Sequence, residues 1–301
     1  MKVDVAGVEF DSPVLLASGI LGSTGESLNR VLREGAGGVV TKSVGTEVRK
    51  GHPGPNVFAD DSGEYALNAV GLSNPSKEFD DEVEKVEGTT VVSIFGGTAE
   101  EFADLASHFE EYADCLELNV SCPHAEGYGT DIGADPDLTR DVTEAVVETV
   151  DVPVWVKLTP NVTDIAEIGL SAEEAGADAV VAINTVGAMA IDTQTAYPIL
   201  GNGEGGMSGS AVKPIAVRSV YELYEALDIP IVGVGGVSSP DDAIEMMLAG
   251  ASLVEVGTAV KDDIGVFDEI SRGIDEYSDE KGWSHDEIVG KTHEVVKEAE
   301  E

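Results

Sequence analysis

The chain has 301 residues, 42% of them hydrophobic and 35 of them glycine, enough apolar material for a sizeable core with many tight turns. Its 17 basic and 58 acidic residues leave a formal charge of −41, which argues against nucleic acid or an anionic membrane as a partner because phosphates would be repelled. The acids are interspersed with apolar runs along the whole chain, which describes a folded protein with an acidic shell resembling those of extreme halophiles, where salt screens self-repulsion.

The first residues, 1–7, lack a charged segment followed by an apolar one, so no signal peptide is read, and no apolar run is long enough to span a bilayer. The expected location is the cytoplasm. Eight short apolar runs follow, at 14–18, 38–42, 90–95, 115–122, 153–158, 179–184, 230–235 and 253–257. Most are rich in Val, Ile and Leu without polar alternation, as parallel strands buried on both faces must be. Between them, segments such as 99–112, 163–175 and 241–249 carry apolar residues at helical spacing. Pro136 and Pro240 stand where helices should start, Gly176 and Gly250 where they should stop. Eight strand–helix units in series close most simply into a (β/α)8 TIM barrel, read as one domain over 1–301. A doubly wound open sheet is the rival, but no GxGxxG follows the first strand.

Two stretches break the alternation. Residues 51–71 predict a β excursion after the second strand, and 186–212 a long Gly-rich insertion after the sixth. Both leave from the carboxyl ends of strands, the face on which barrels build active sites.

Polar residues at strand ends are the informative set. Lys42 and Lys157 each close an apolar strand in a chain poor in cations, so each ammonium needs a cleft or a partner. A structural ion pair explains one such lysine; two on the same face favour a functional site. Asn68, Asn119 and Asn184 lie similarly and offer donors and acceptors suited to a ring with alternating N–H and C=O groups, although each alone could be a turn former. Gly235, Gly236, Gly257 and Thr258 end the seventh and eighth strands, where barrels often cradle phosphate. Of the two cysteines, Cys115 in a strand interior reads as a small buried hydrophobe, whereas Cys122 at a strand end beside Ser121 and His124 could serve as a base. Neither supports a disulfide framework or an iron–sulfur cluster, and the five His show no metal-ligand spacing.

These residues resemble the class 1 dihydroorotate dehydrogenases over essentially the whole chain. The matching pieces are Val-Thr-Lys42-Ser43, Asn68-Ala-Val-Gly71-Leu72-Ser-Asn74-Pro, Asn119-Val-Ser-Cys122-Pro and Val-Lys157-Leu-Thr-Pro-Asn161. They continue with Ile183-Asn184-Thr185, Gly205-Gly206-Met-Ser-Gly209, Gly235-Gly236 and Gly257-Thr258. The resemblance implies an FMN over the barrel mouth and oxidation of dihydroorotate to orotate in pyrimidine (UMP) biosynthesis. Cys122 would remove the C5 proton while hydride leaves C6 for flavin N5. Lys42 would contact flavin and substrate, and Lys157 would sit near the flavin, where a cation stabilises the reduced ring. Asn68, Asn119, Asn184 and Thr185 would hold the substrate, with the backbone of Ala69, Val70, Gly71 and Leu72 at its carboxylate. Ser18, Ser43, Asn119, Ile183 and Gly209 would contact FMN, and Gly235, Gly236, Gly257 and Thr258 its phosphate.

Within class 1, the Ile-Asn-Thr and Gly-Gly-Met-Ser-Gly-Ser-Ala-Val-Lys213-Pro214 segments look more like the NAD-linked branch. That likeness implies a homodimeric core and a partner subunit carrying FAD and a [2Fe–2S] cluster. One departure is His124, where many members have Asn. Cys-Pro-His also occurs in the pyrimidine-reducing part of dihydropyrimidine dehydrogenase, so a reductase of that kind is the alternative. A flavin-free isomerase or aldolase would keep the glycines but would not need the asparagine series with a cysteine, and a non-catalytic flavin binder would leave Cys122 and both lysines unexplained.

Overall fold

The computed structural model describes residues 1–121 and 132–300. Its first elements are a hairpin of β1 (Val3–Val5) and β2 (Val8–Phe10), turned at Ala6 and Gly7, whose φ angles are both positive. This hairpin is not among the elements that the apolar runs predict, because three-residue strands leave too little period to read.

Strands β3 (Val14–Leu16) and β4 (Gly38–Val40) begin the barrel. The excursion then contributes β5 (Val57–Ala59) and β6 (Ala66–Asn68). The barrel resumes with β7 (Thr90–Ile94), β8 (Cys115–Asn119), β9 (Val154–Leu158) and β10 (Ala179–Ala182). The insertion supplies β11 (Val186–Ala188) and β12 (Gly205–Ser208), and the barrel ends with β13 (Ile231–Val234) and β14 (Ala251–Val256). Eight strands form a closed barrel in the order β10-β13-β14-β3-β4-β7-β8-β9. The expected (β/α)8 fold is the observed one, with the last strand starting two residues before the apolar run that marks it.

Helices cover the outside. Helix Pro136–Val147 starts at a proline behind an Asp135 cap, and helix Pro240–Ala249 does so behind Ser239. The 163–175 segment forms helix Ile165–Glu174, capped by the Asp164 carboxylate. Gly176 and Gly250 follow with φ of 94° and 131°, the conformation that ends a helix most cheaply with glycine. None of the helices among the described residues is long and apolar enough to cross a membrane.

Side-chain alternation splits the core in two. One face of each strand packs against the helices in a large cluster including Leu16, Leu116, Leu118 and Val156. The other face fills the barrel with Leu15, Val40, Val91, Cys115, Trp155, Val181 and Leu253, closed below by Val3, Val5, Val8 and Phe10 of the hairpin. Phe10 and Trp155 sit with ring centroids 5.8 Å apart, a tilted pair that plugs the floor. The same period of two turns Glu117, Asn119, Lys157 and Glu255 inward, above that apolar layer.

The excursion and the insertion meet. Strands β11-β12-β6-β5 form one four-stranded antiparallel sheet, with Asn68 opposite both Gly206 and Val57. Because both excursions leave from the carboxyl ends of barrel strands, the sheet stands at that mouth. A second link is made where Thr258, just after β14, donates to Ser208 Oγ at 2.8 Å.

Candidate active site

At the barrel mouth, side chains from four strand ends join in one hydrogen-bonded chain. Asn119, at the end of β8, donates from Nδ2 to Ser43 Oγ at 3.0 Å, and Ser43 lies 2.9 Å from Ser93 Oγ. Asn119 Oδ1 accepts from Ser121 Oγ at 3.1 Å and from Asn184 Nδ2 at 3.3 Å. Asn184 Nδ2 also reaches Ser121 Oγ at 2.6 Å. Residues far apart in sequence are thereby fixed around one opening, and Asn119 is held from three sides. Ser121 is the last described residue before Cys122; Cys122 and His124 lie outside the described residues.

Beneath this chain lies a buried ionic layer. Lys157 Nζ sits 3.0 Å from Glu117 Oε2 and 2.9 Å from Glu255 Oε2, and the exposure of the three side chains is 5%, 0% and 0%. Burial disfavours the Lys157 ammonium, but the attraction of Glu117 and Glu255 outweighs it and holds the amine firmly protonated. Burial pushes the Glu255 carboxyl up to about 7, with Lys157 pulling it down and Glu117 adding to the rise. The sequence allowed Lys157 either a structural ion pair or a role at the site; the structure gives it two carboxylate partners on the inward face. Cys115, the small hydrophobe below them, is fully buried, and burial raises its thiol well above the usual range.

The remaining residues fall around this centre. Lys42 follows β4, and its backbone N–H donates to Gly22 O at 2.9 Å. Gly22 must be glycine for this approach, since a Cβ there would come within 2.6 Å of Lys42 N. Ser18 lies just beyond β3. Ile183 is buried and donates from its backbone to Val234 O at 2.8 Å, tying the ends of β10 and β13. Asn68 lies on β6 and donates to Gly206 O at 3.4 Å. A Cβ on Gly206 would fall 2.0 Å from Thr185 Oγ1, so sheet and strand end are in tight contact. Ala69 is buried, Val70 O accepts from the His52 backbone at 3.0 Å, and Gly71 and Leu72 both have positive φ. Gly209, with φ of 103°, begins the link to helix Lys213–Ala226. Gly235 and Gly236 follow β13 with φ of 134° and 79°, and a Cβ on Gly257 would stand in ordinary contact with Ala17 Cβ at 3.7 Å.

Sequence reasoning assigned no role to two asparagines inside quoted motifs. Asn161 accepts from Gly187 N at 2.8 Å and donates to Thr185 O at 3.1 Å, pinning the start of the insertion. Asn74, almost fully buried, accepts from Gly45 N at 3.2 Å and Ser76 N at 2.8 Å and donates to Leu72 O at 2.8 Å, so it braces the loop after β6. The clue was their position beside a proline, Asn161 directly after Pro160 and Asn74 directly before Pro75, where an amide often satisfies turn backbone. Glu117 and Glu255 were also missed, since an acid among so many carries no signal.

Comparison with known proteins agrees with this architecture. The family model for dihydroorotate dehydrogenase matches residues 1–277. The chain belongs to the dihydroorotate dehydrogenase family. It is 56% identical over 304 residues to a Methanocella arvoryzae protein named dihydroorotate dehydrogenase B (NAD(+)), catalytic subunit, covering 99% of this chain and 100% of that one. A protein of the same name from Methanosarcina mazei is 54% identical, covering 97% of this chain and 95% of its own length. Among solved structures, dihydroorotate dehydrogenase from Eimeria tenella in complex with ferulenol superposes with a TM-score of 0.84 over 97% of this chain and 88% of that one; at 20% identity it bears on the fold alone. In family terms, the amide–hydroxyl chain and the ionic layer occupy the carboxyl-terminal mouth, where barrel enzymes carry out their chemistry.

Proposed function

We propose that the chain oxidises dihydroorotate to orotate in pyrimidine biosynthesis, as the FMN-binding catalytic subunit of a larger enzyme. The observation that carries this reading is the junction of Ser43, Asn119, Ser121 and Asn184 directly before Cys122, in a chain of this family. The residues present fit FMN. Gly235 and Gly236 hold backbone conformations that side chains resist, and with Gly257 they leave the backbone at the ends of β13 and β14 bare of side chains, as close approach of a phosphate requires. Thr258 stands beside them, and Ser18, Lys42, Ser43, Asn119, Lys157, Ile183 and Gly209 would meet the rest of the cofactor.

FMN held there would supply the acceptor for the hydride from C6 of the substrate. Cys122, as the base, takes the C5 proton. Asn68, Asn119, Asn184 and Thr185 present amides and a hydroxyl to the ring, and the backbone of 69–72 receives the carboxylate. Lys157 would supply a positive charge to the reduced ring, and the four-stranded sheet stands at the mouth. The relatives are named catalytic subunits with NAD(+). By the same likeness, electrons would leave this chain for a partner subunit with FAD and a [2Fe–2S] cluster, which two cysteines cannot ligate here, around a homodimeric core.

Anaerobic mixing of the purified protein with dihydroorotate should bleach the flavin. Bleaching by dihydrouracil alone would instead identify a dihydropyrimidine dehydrogenase-like activity. Gly236→Ala places a methyl 2.6 Å from Lys213 Cβ at a positive φ, a strain of about 1–3 kcal/mol, so flavin affinity should fall roughly tenfold or more. Equilibrium dialysis of FMN against the variant checks this, and undiminished affinity would remove the loop from the phosphate site.

The acidic shell belongs to the same proposal. With a formal charge of −41, the folded state is held together better when salt screens repulsion. Thermal melting should shift upward by about 5 °C or more from millimolar to molar salt, and an unchanged curve would refute the halophilic reading.

A further inference from the structure

Two carboxylates against one ammonium leave the buried layer under the mouth with an excess negative charge, yet nothing in the proposed chemistry uses Glu117 or Glu255. Each gives one oxygen to Lys157 Nζ, at 3.0 and 2.9 Å. The other oxygen of each, Glu117 Oε1 and Glu255 Oε1, is buried and meets no hydrogen-bond donor in the structure. Two ionised carboxylates in this position would leave both oxygens desolvated and unpaired, which is costly. Both carboxyls converge on the same Lys157 Nζ, so one proton held by the pair would cancel the excess charge and give a buried oxygen a donor.

We propose that Glu117 and Glu255 share one proton and act as positioning residues for Lys157, holding its ammonium on the barrel axis and keeping the floor of the site electrically neutral. The proposal rests on the flavin reading only for its effect at the cofactor. With the proton present, the layer is neutral and Lys157 favours the negative charge of a reduced ring. Once the proton leaves, the layer carries a net negative charge and opposes reduction.

The titratable groups facing the pair are few. Cys115 lies below on β8 and stays a neutral thiol. Asp114 and Asp178 stand at the strand entrances, and Lys42 stands at the mouth after β4. The inward residues on β3, β4, β10 and β13 are apolar, Leu15, Val40, Val181 and Val234 among them. Burial and Glu117 raise Glu255 from 4.5 to about 7, so the shared proton is bound below that range and lost as pH rises through it. A raised carboxyl stabilises the fold fully below its ordinary range and loses that contribution as pH climbs through the raised value. Wild type should therefore lose stability relative to E255Q across this window, because glutamine keeps the neutral hydrogen bond at every pH.

The test uses the flavin-loaded protein, with E255Q and the reciprocal E117Q as variants. An infrared pH titration should show one buried protonated carboxyl in wild type that disappears across neutrality and is missing from both variants. The pH dependence of the flavin midpoint potential should break over the same interval in wild type and run straight in E255Q and E117Q. A wild type with no protonated carboxyl band, or a potential break that survives in both variants, overturns the proposal. The infrared band needs neither flavin nor substrate, so protein that binds no flavin would count against the functional reading and leave the shared proton still decided by the band.

Discussion

Cys122→Ala is expected to retain FMN and to reduce it with dihydroorotate about 10²–10⁴-fold more slowly than wild type. The reason lies in the residues that lead up to it. Ser121 is buried and locked by Asn119 Oδ1 and Asn184 Nδ2, so the chain enters position 122 from a fixed point at the mouth. Removing the thiol deletes the proposed proton acceptor while leaving Lys157, the asparagines and the glycine turns in place. The loss should therefore appear in the rate of flavin bleaching, with little change in flavin content or in the substrate concentration needed for half-saturation. Anaerobic stopped-flow mixing measures it directly. Reduction at the wild-type rate would take Cys122 out of the mechanism.

Lys157→Met should carry the largest cost in stability. Methionine fills much of the lysine volume, so the barrel interior stays filled, but Glu117 and Glu255 are left without a cation. Removing one member of a buried ionic group costs about 3–5 kcal/mol, because the remaining charge is neither solvated nor paired. Here the pair carries a second charge once its shared proton is lost, and the protein can relieve both charges by taking up protons. The variant should thus be most unstable at alkaline pH and recover as pH falls and both carboxyls protonate. Urea unfolding at several pH values reads this out. A variant as stable as wild type at alkaline pH would mean that the Lys157 ammonium is not what holds the two carboxylates in the barrel. Combining Lys157→Met with Glu117→Gln and Glu255→Gln should restore much of the loss, since the replacement layer is uncharged.

Both predictions concern residues that sequence reading treated very unequally. Cys122 drew its proposed role because a thiol at a strand end beside Ser121 is unusual and its surroundings resemble a family pattern. Lys157 was legible as a cation closing an apolar strand. Its partners were not, because Glu117 and Glu255 are two among 58 acidic residues and lie 138 positions apart along the chain by simple numbering. Only barrel closure, which brings β14 round to face β8 and β9, places them on one ammonium.

The order of strands and helices was written in local chemistry. Runs of Val, Ile and Leu without polar alternation mark strands buried on both faces, prolines behind Asp135 and Ser239 start helices, and glycines at 176 and 250 end them. Such signals act over a few residues, so they survive in the sequence whatever the rest of the chain does. What they could not decide is which distant segments meet. That the excursion after the second strand and the insertion after the sixth pair as one sheet, with Asn68 against Gly206, depends on backbone hydrogen bonds that carry no residue signature. The acid composition alone determined a highly charged surface; the tertiary structure decided that two of those acids would turn inward, because period-two alternation on a closed barrel sends every second side chain to the axis.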